Sequence, residues 1–221
     1  MKFSNVALCA ALALGVSATA NAGVIIAPVS GVIDSGGPGY GPISETFDQS
    51  GLSVTYTPGV TDFDTYMAGN PQHSYVFSGN EWFSNQGATS AQVTYDFGSV
   101  VQIDAFALWH EDASGFTRFA LSGDANPNFL FGSPANSLLN NDYGPQVFAF
   151  AQSISTRYLT LAMDGCPQAG DASFNACAIG EVAFRSAGGG GVVPEPSTWA
   201  IMILGFGAAG AMLRRRTTVV A

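Results

Sequence analysis

Between Ala91 and Phe184 the chain is cut into short runs that either alternate apolar and polar residues or are rich in β-branched and aromatic ones, each closed by Gly, Pro, Asn or Ser. In Ala91–Phe97 (AQVTYDF), Val93, Tyr95 and Phe97 fall on one side of an extended strand. Ile103–Trp109, Phe116–Leu121, Gln146–Phe150, Arg157–Met163 and Ile179–Phe184 complete at least six strands. Val24–Ile26, Tyr56 and Tyr75–Phe77 offer two or three more. No stretch of residues 23–187 sustains a helical period. The pattern predicts an all-β domain, a sandwich or jelly roll.

Both ends of the 221-residue chain differ from this middle. Residues 1–22 hold one charge, Lys2, an apolar run (VALCAALALGV) and the small-residue exit Ala20-Asn21-Ala22, the form of a secretory signal peptide cleaved after Ala22. Cys9 lies inside the apolar run behind Leu8, so a lipoprotein signal is excluded. At the other end, residues 188–193 open with four glycines and read as a linker. Residues 194–216 follow, with an apolar helix expected over 199–213, and residues 217–221 form a tail. Fifteen residues of helix reach about 22 Å, short of a roughly 30 Å hydrocarbon core, so insertion needs local thinning and snorkelling arginines. Trp199 suits one interface and Arg214–Arg216 the cytoplasmic side, leaving residues 23–187 on the far side.

Pro194-Glu195-Pro196, then Trp199-Ala200, a short apolar span with Gly-Phe-Gly, and Arg214-Arg215-Arg216 together resemble the PEP-CTERM sorting signal of Gram-negative bacteria. The resemblance implies transient anchoring in the inner membrane after passage through the secretion translocon, with the main domain in the periplasm. It also implies an exosortase as processing partner, and release to the outer surface or matrix of a cell that makes exopolysaccharide. Pro194, Glu195 and Pro196 would be its recognition motif, with Trp199, Arg214, Arg215 and Arg216 as span and retention residues.

A second resemblance covers residues 81–184. Glu81-Trp82-Phe83-Ser84, Val93–Gly98, Ile103–Trp109, Arg157–Leu161 and Ile179–Phe184 follow each other as in discoidin or galactose-binding-like domains. It implies a β-sandwich that binds carbohydrate, and a structural calcium held in part by a last-strand glutamate, here Glu181. Trp82, His110, Tyr143 and Trp109 are the candidate glycan contacts, with strand core the stronger reading for Trp109. Asp62 and Asp64 have the spacing of half a calcium loop but lack its glycine and terminal glutamate.

Residues 23–193 carry 15 Asp and Glu against Arg118, Arg157 and Arg185, a formal charge of −12, which excludes nucleic acid as a partner. Cys166 and Cys177, eleven positions apart in an exported chain, are expected to form a disulfide, with two buried thiols as the alternative. His73 and His110 are the only imidazoles, and no nucleophile, zinc or phosphate-loop motif occurs. The expected function is non-catalytic binding to exopolysaccharide with no required cofactor. A purely structural surface protein and a secreted hydrolase are the alternatives.

Overall fold

The computed structural model describes residues 23–111, 114–135, 141–168 and 174–188. The expected signal peptide, most of the linker, the sorting signal with helix 199–213, and the tail lie outside them. Among the described residues no helix is long and apolar enough to cross a membrane.

Two long strands set the architecture. β1 is Ile25–Ile26, β2 Ser30–Ser35, β3 Trp82–Phe83, β4 Ser90–Trp109, β5 Arg118–Gly123 and β6 Asn126–Gly132. β7 is Pro145–Asp164, β8 Ala178–Ile179 and β9 Glu181–Ser186, and the described residues also include a short α-helix, α1, at Phe63–Ala68 and a 3-10 turn at Ile43–Thr46. β4 and β7, 20 residues each, pair antiparallel from Ser90↔Asp164 to Trp109↔Pro145. Their register breaks between Asp96 and Val101. Gly98 makes that bend with φ +77°, a left-handed backbone that glycine adopts without penalty, and its N–H donates to Asp96 Oδ1 at 2.7 Å.

On one side of the bend the strands run β2-β4-β7-β5-β6, and on the other β1-β9-β4-β7. One seven-stranded sheet is thereby folded into two layers. Between them lies the main core, with Val93, Tyr95 and Phe97 from the first half of β4 and Phe106 and Leu108 from the second, joined by Phe119, Leu159, Leu161 and Phe184. Phe184 meets Phe97 at 5.1 Å and Phe106 at 5.4 Å between ring centres. Each such fully buried large side chain contributes about 1.5–3 kcal/mol. The second layer also buries its outer face, where Ala105, Ala107, Trp109 and Ala183 pack on Ile25, Tyr56, Phe63 and Tyr143. Burial on both faces is why residues 105–109 read as an unbroken apolar run. β3 and β8 form a separate small pair.

The all-β sandwich is as expected, but several strand boundaries are not. Ala91–Phe97 and Ile103–Trp109 are halves of one strand, as are Gln146–Phe150 and Arg157–Met163. Tyr56 and Tyr75–Phe77 lie in loops, and β2 and β6 are additional. Asp62 and Asp64 have partners within the fold. Asp62 caps α1, its Oδ1 accepting from the Thr65 N–H at 2.7 Å, and Asp64 pairs with Arg185 at 2.9 Å. Cys166 and Cys177 are disulfide-bonded, with Cα atoms 5.0 Å apart.

Candidate functional site

The four expected glycan contacts are all inside the protein. Trp82 is 0% exposed, packed in the main core with its Nε1–H donating to Pro38 O at 3.1 Å. His110 is equally buried. Its Nε2 accepts from the Phe116 N–H at 2.8 Å, and burial pushes its pKa down to about 4. A Cβ on Gly115 would overlap that imidazole, so glycine is what admits the ring. Glu111 beside it accepts from the Ser114 N–H, while Asp112 lies outside the described residues. Tyr143 is 4% exposed. None of these rings offers a face to solvent, so none can stack on a sugar arriving from outside. Trp109 is core, its Nε1–H donating to Pro71 O at 2.8 Å.

Tyr143 instead belongs to a buried polar group that the sequence did not suggest. Its hydroxyl donates to Glu81 Oε1, and its ring stacks on His73 at 5.1 Å and 28°. His73 bridges Leu52 on one side and Tyr143 on the other, and its Nδ1 lies 2.9 Å from Ser74 O. Burial lowers the His73 pKa. A side chain on Gly180 would overlap the Tyr143 hydroxyl. These partners are 62 and 70 residues apart along the chain, and no spacing rule connects them. They tie residues 71–81 down onto the body of the sandwich.

Glu181 opens β9 and is 0% exposed. Gln49 N–H donates to its Oε2 at 3.0 Å and the Tyr56 hydroxyl to its Oε1 at 3.2 Å. Burial raises its pKa well above the ordinary carboxylate range, and the nearby charge of Asp48 adds to the rise. Among the described residues no three His, Cys, Asp or Glu converge as metal ligands. Calcium, however, takes carbonyl oxygens and water as readily as carboxylates. Glu181, with Asp48 near enough to act on its charge, is the carboxylate to which the expected calcium would go.

The rings that do reach solvent come from other segments. Tyr40 is 52% and Phe77 45% exposed, with Tyr75 and Val76 beside them. Tyr40 packs edge-on to Phe174 at 5.1 Å, and Phe77 edge-on to Phe83 at 4.9 Å. Phe83 also meets Phe174 at 5.8 Å. Tyr40 and Phe83 exchange main-chain hydrogen bonds, both at 2.8 Å. Gly39, at φ +76°, permits this approach, because a Cβ there would overlap the Phe83 carbonyl. Two residues before Tyr40, a cavity of about 490 Å³ is lined by Ile33, Asp34, Ser35, Gly36, Gly37 and Pro38.

Comparison with known proteins adds two things. Residues 192–216 match the family model described as the PEP-CTERM protein-sorting motif. The chain carries a sorting tail. That motif implies an exosortase as partner and a surface or extracellular destination, and Pro194, Glu195, Pro196, Trp199 and Arg214–Arg216 all fall within the matched span. No curated protein matches the chain.

Among solved structures, distant similarity extends to carbohydrate-binding β-sandwich domains. The chitosan-binding module 1 of a chitosanase/glucanase from Paenibacillus sp. IK-5 is 15% identical, over 72% of this chain and 95% of that one, with a TM-score of 0.41. The family 32 carbohydrate-binding module of C. perfringens NanJ, in complex with galactose, is 11% identical over 74% and 100%, with a TM-score of 0.42. The corresponding module of AlyQ, in complex with 4,5-unsaturated mannuronic acid, is 15% identical over 72% and 96%, at 0.41.

Proposed function

We propose that the chain is an exported, exosortase-processed protein whose sandwich associates with exopolysaccharide at the cell surface or in the matrix without cleaving it. The sorting motif at residues 192–216 carries this reading, because the resemblance it makes is to exported proteins of cells that produce exopolysaccharide. In this reading residues 1–22 are removed on passage through the translocon. Residues 199–213 hold the chain in the inner membrane with the main domain in the periplasm. Arg214–Arg216 set its orientation, and the exosortase cuts near Pro194–Pro196. The −12 charge of residues 23–193 supports a polymer that is not nucleic acid.

The test is made on protein recovered from its host. Mass spectrometry of the released form should find no peptide beyond the Pro194–Pro196 region, and replacing Arg214–Arg216 with alanine should redirect the chain. The released protein should co-sediment with the host exopolysaccharide and liberate no reducing ends. Full-length chain ending at Ala221 in the medium would refute the processing, and liberated reducing sugar would refute the non-catalytic role.

A structural calcium at Glu181 belongs to the same proposal, supported by the buried carboxylate and Asp48 beside it. A ligand at a hundredfold excess over its Kd that binds only the folded state adds about 2.7 kcal/mol. Calcium should therefore raise Tm by several degrees over chelator, and Glu181→Gln should shrink that shift. An unchanged Tm would remove the metal.

A further inference from the structure

We infer that the ring cluster of Tyr40, Phe77 and Phe174 around Phe83, with the cavity beside it, is the docking face for uncharged pyranose chains. This rests on the carbohydrate-association reading above and assigns it a place. Three stretches far apart in sequence, around Tyr40, from Phe77 to Phe83 and at Phe174, contribute the four rings, and each ring is set by contacts already made in the free protein. Phe77 and Phe174 lean on Phe83, which is 6% exposed and so fixed, while Tyr40 is held by its two main-chain bonds to Phe83. Tyr40 and Phe77 keep about half of their surface open to solvent while making these contacts. Flat, pre-oriented aromatic faces fit the apolar faces of pyranose rings and lose little side-chain freedom on binding.

Polar groups border the rings. Asn85 is exposed, and its side chain ties down the loop at Gly37 and Gly39, with Gly37 O 2.5 Å from its Nδ2 and the Gly39 N–H 3.0 Å from its Oδ1. Asp34 and Ser35 line the adjoining cavity, whose size suits one or two sugar units. The buried Glu81–Tyr143–His73 group anchors the segment that carries Phe77.

Charge selects among polymers. Arg118 is paired with Asp164, Arg157 with Asp96, and Arg185 with Asp104 and Asp64, so no arginine of residues 23–188 is left to meet an anionic sugar. Among the described residues the one charged side chain lining the cavity is Asp34, which repels uronates and sulfates.

The experiment uses the released protein and its Tyr40→Ala and Phe77→Ala variants, with Tyr158→Ala, an exposed ring elsewhere, as control. Affinity electrophoresis is run in the neutral fraction of the host exopolysaccharide and in polygalacturonate, with Tm as the folding check. Wild type should be retarded only by the neutral polymer. Tyr40→Ala and Phe77→Ala should each weaken binding by about tenfold with Tm nearly unchanged, and Tyr158→Ala should bind as wild type. Equal binding by all variants would overturn the site and leave the association reading standing. No binding by wild type would remove both. Preference for polygalacturonate would overturn the charge assignment. Self-association abolished by Tyr40→Ala, with glycan binding intact, would make the face a protein contact and overturn the site.

Discussion

His110 shows how burial converts a surface-looking residue into a stability determinant. In the unfolded chain its imidazole protonates near pH 6.5, whereas in the fold it stays neutral down to about pH 4. Protonation at Nε2 would also deprive the Phe116 N–H of its acceptor. A folded-state pKa below the unfolded one means stability is full above pH 6.5 and is lost as pH falls through the folded pKa, by about 1.4 kcal/mol per pH unit. His73, also lowered by burial, acts in the same sense. Glu181, raised by burial, has the opposite sign, its contribution being full at low pH and lost as pH rises. In urea titrations from pH 7.5 to 4.5, His110→Gln should narrow its stability gap to wild type as pH falls, and a constant gap would exclude His110 as the titrating group. None of this was legible in the His110-Glu111-Asp112 string, which looks like a solvated rim. A pattern of types says nothing about Gly115, whose missing side chain makes room for the ring.

At the scale of elements, the strands with one buried face were legible and their continuity was not. Val93, Tyr95 and Phe97 alternate with polar neighbours, so their strand announced itself. Gly98-Ser99 then reads as a turn, although the chain merely bends there and pairs again from Val101. β6 (NPNFLFG) hides behind Pro127 and lacks clean alternation, and six-residue α1 is too short for a period to show. The cysteine pair was readable because its spacing and compartment point the same way, and the bond it makes joins the end of β7 to the start of β8. Closing eleven residues of loop contributes about 3 kcal/mol by the chain-entropy relation. Cys166→Ser with Cys177→Ser should lower stability by up to that amount in urea unfolding. Because Phe174 lies inside the loop, glycan affinity should fall as well; loss of stability with affinity unchanged would detach the loop from the binding face.

For the whole molecule, the informative feature is that β4 and β7 serve both layers at once. A sandwich of two independent sheets could lose one and keep the other, whereas here the layers share backbone across the bend at Gly98. Unfolding should therefore be a single transition, and a chain ending at Ala178 should show no cooperative melt, because β9 lies between β1 and β4. A sharp melt from that truncation would show the first layer to be autonomous. On the proposed passage through a membrane, N-terminus first, the same topology would impose an order in time. Ile25 and Ile26, at the start of the described chain, find their strand partners in Arg185 and Phe184, near its end. Such end-to-end pairing is slow to form. The sheet cannot close until nearly the last of its residues has emerged, and the sorting motif begins at residue 192, six residues beyond β9. On the proposed route of export and processing, completion of the fold and presentation of the motif would be near-simultaneous events, with the tail offered for cutting at the moment the cargo is able to stand alone.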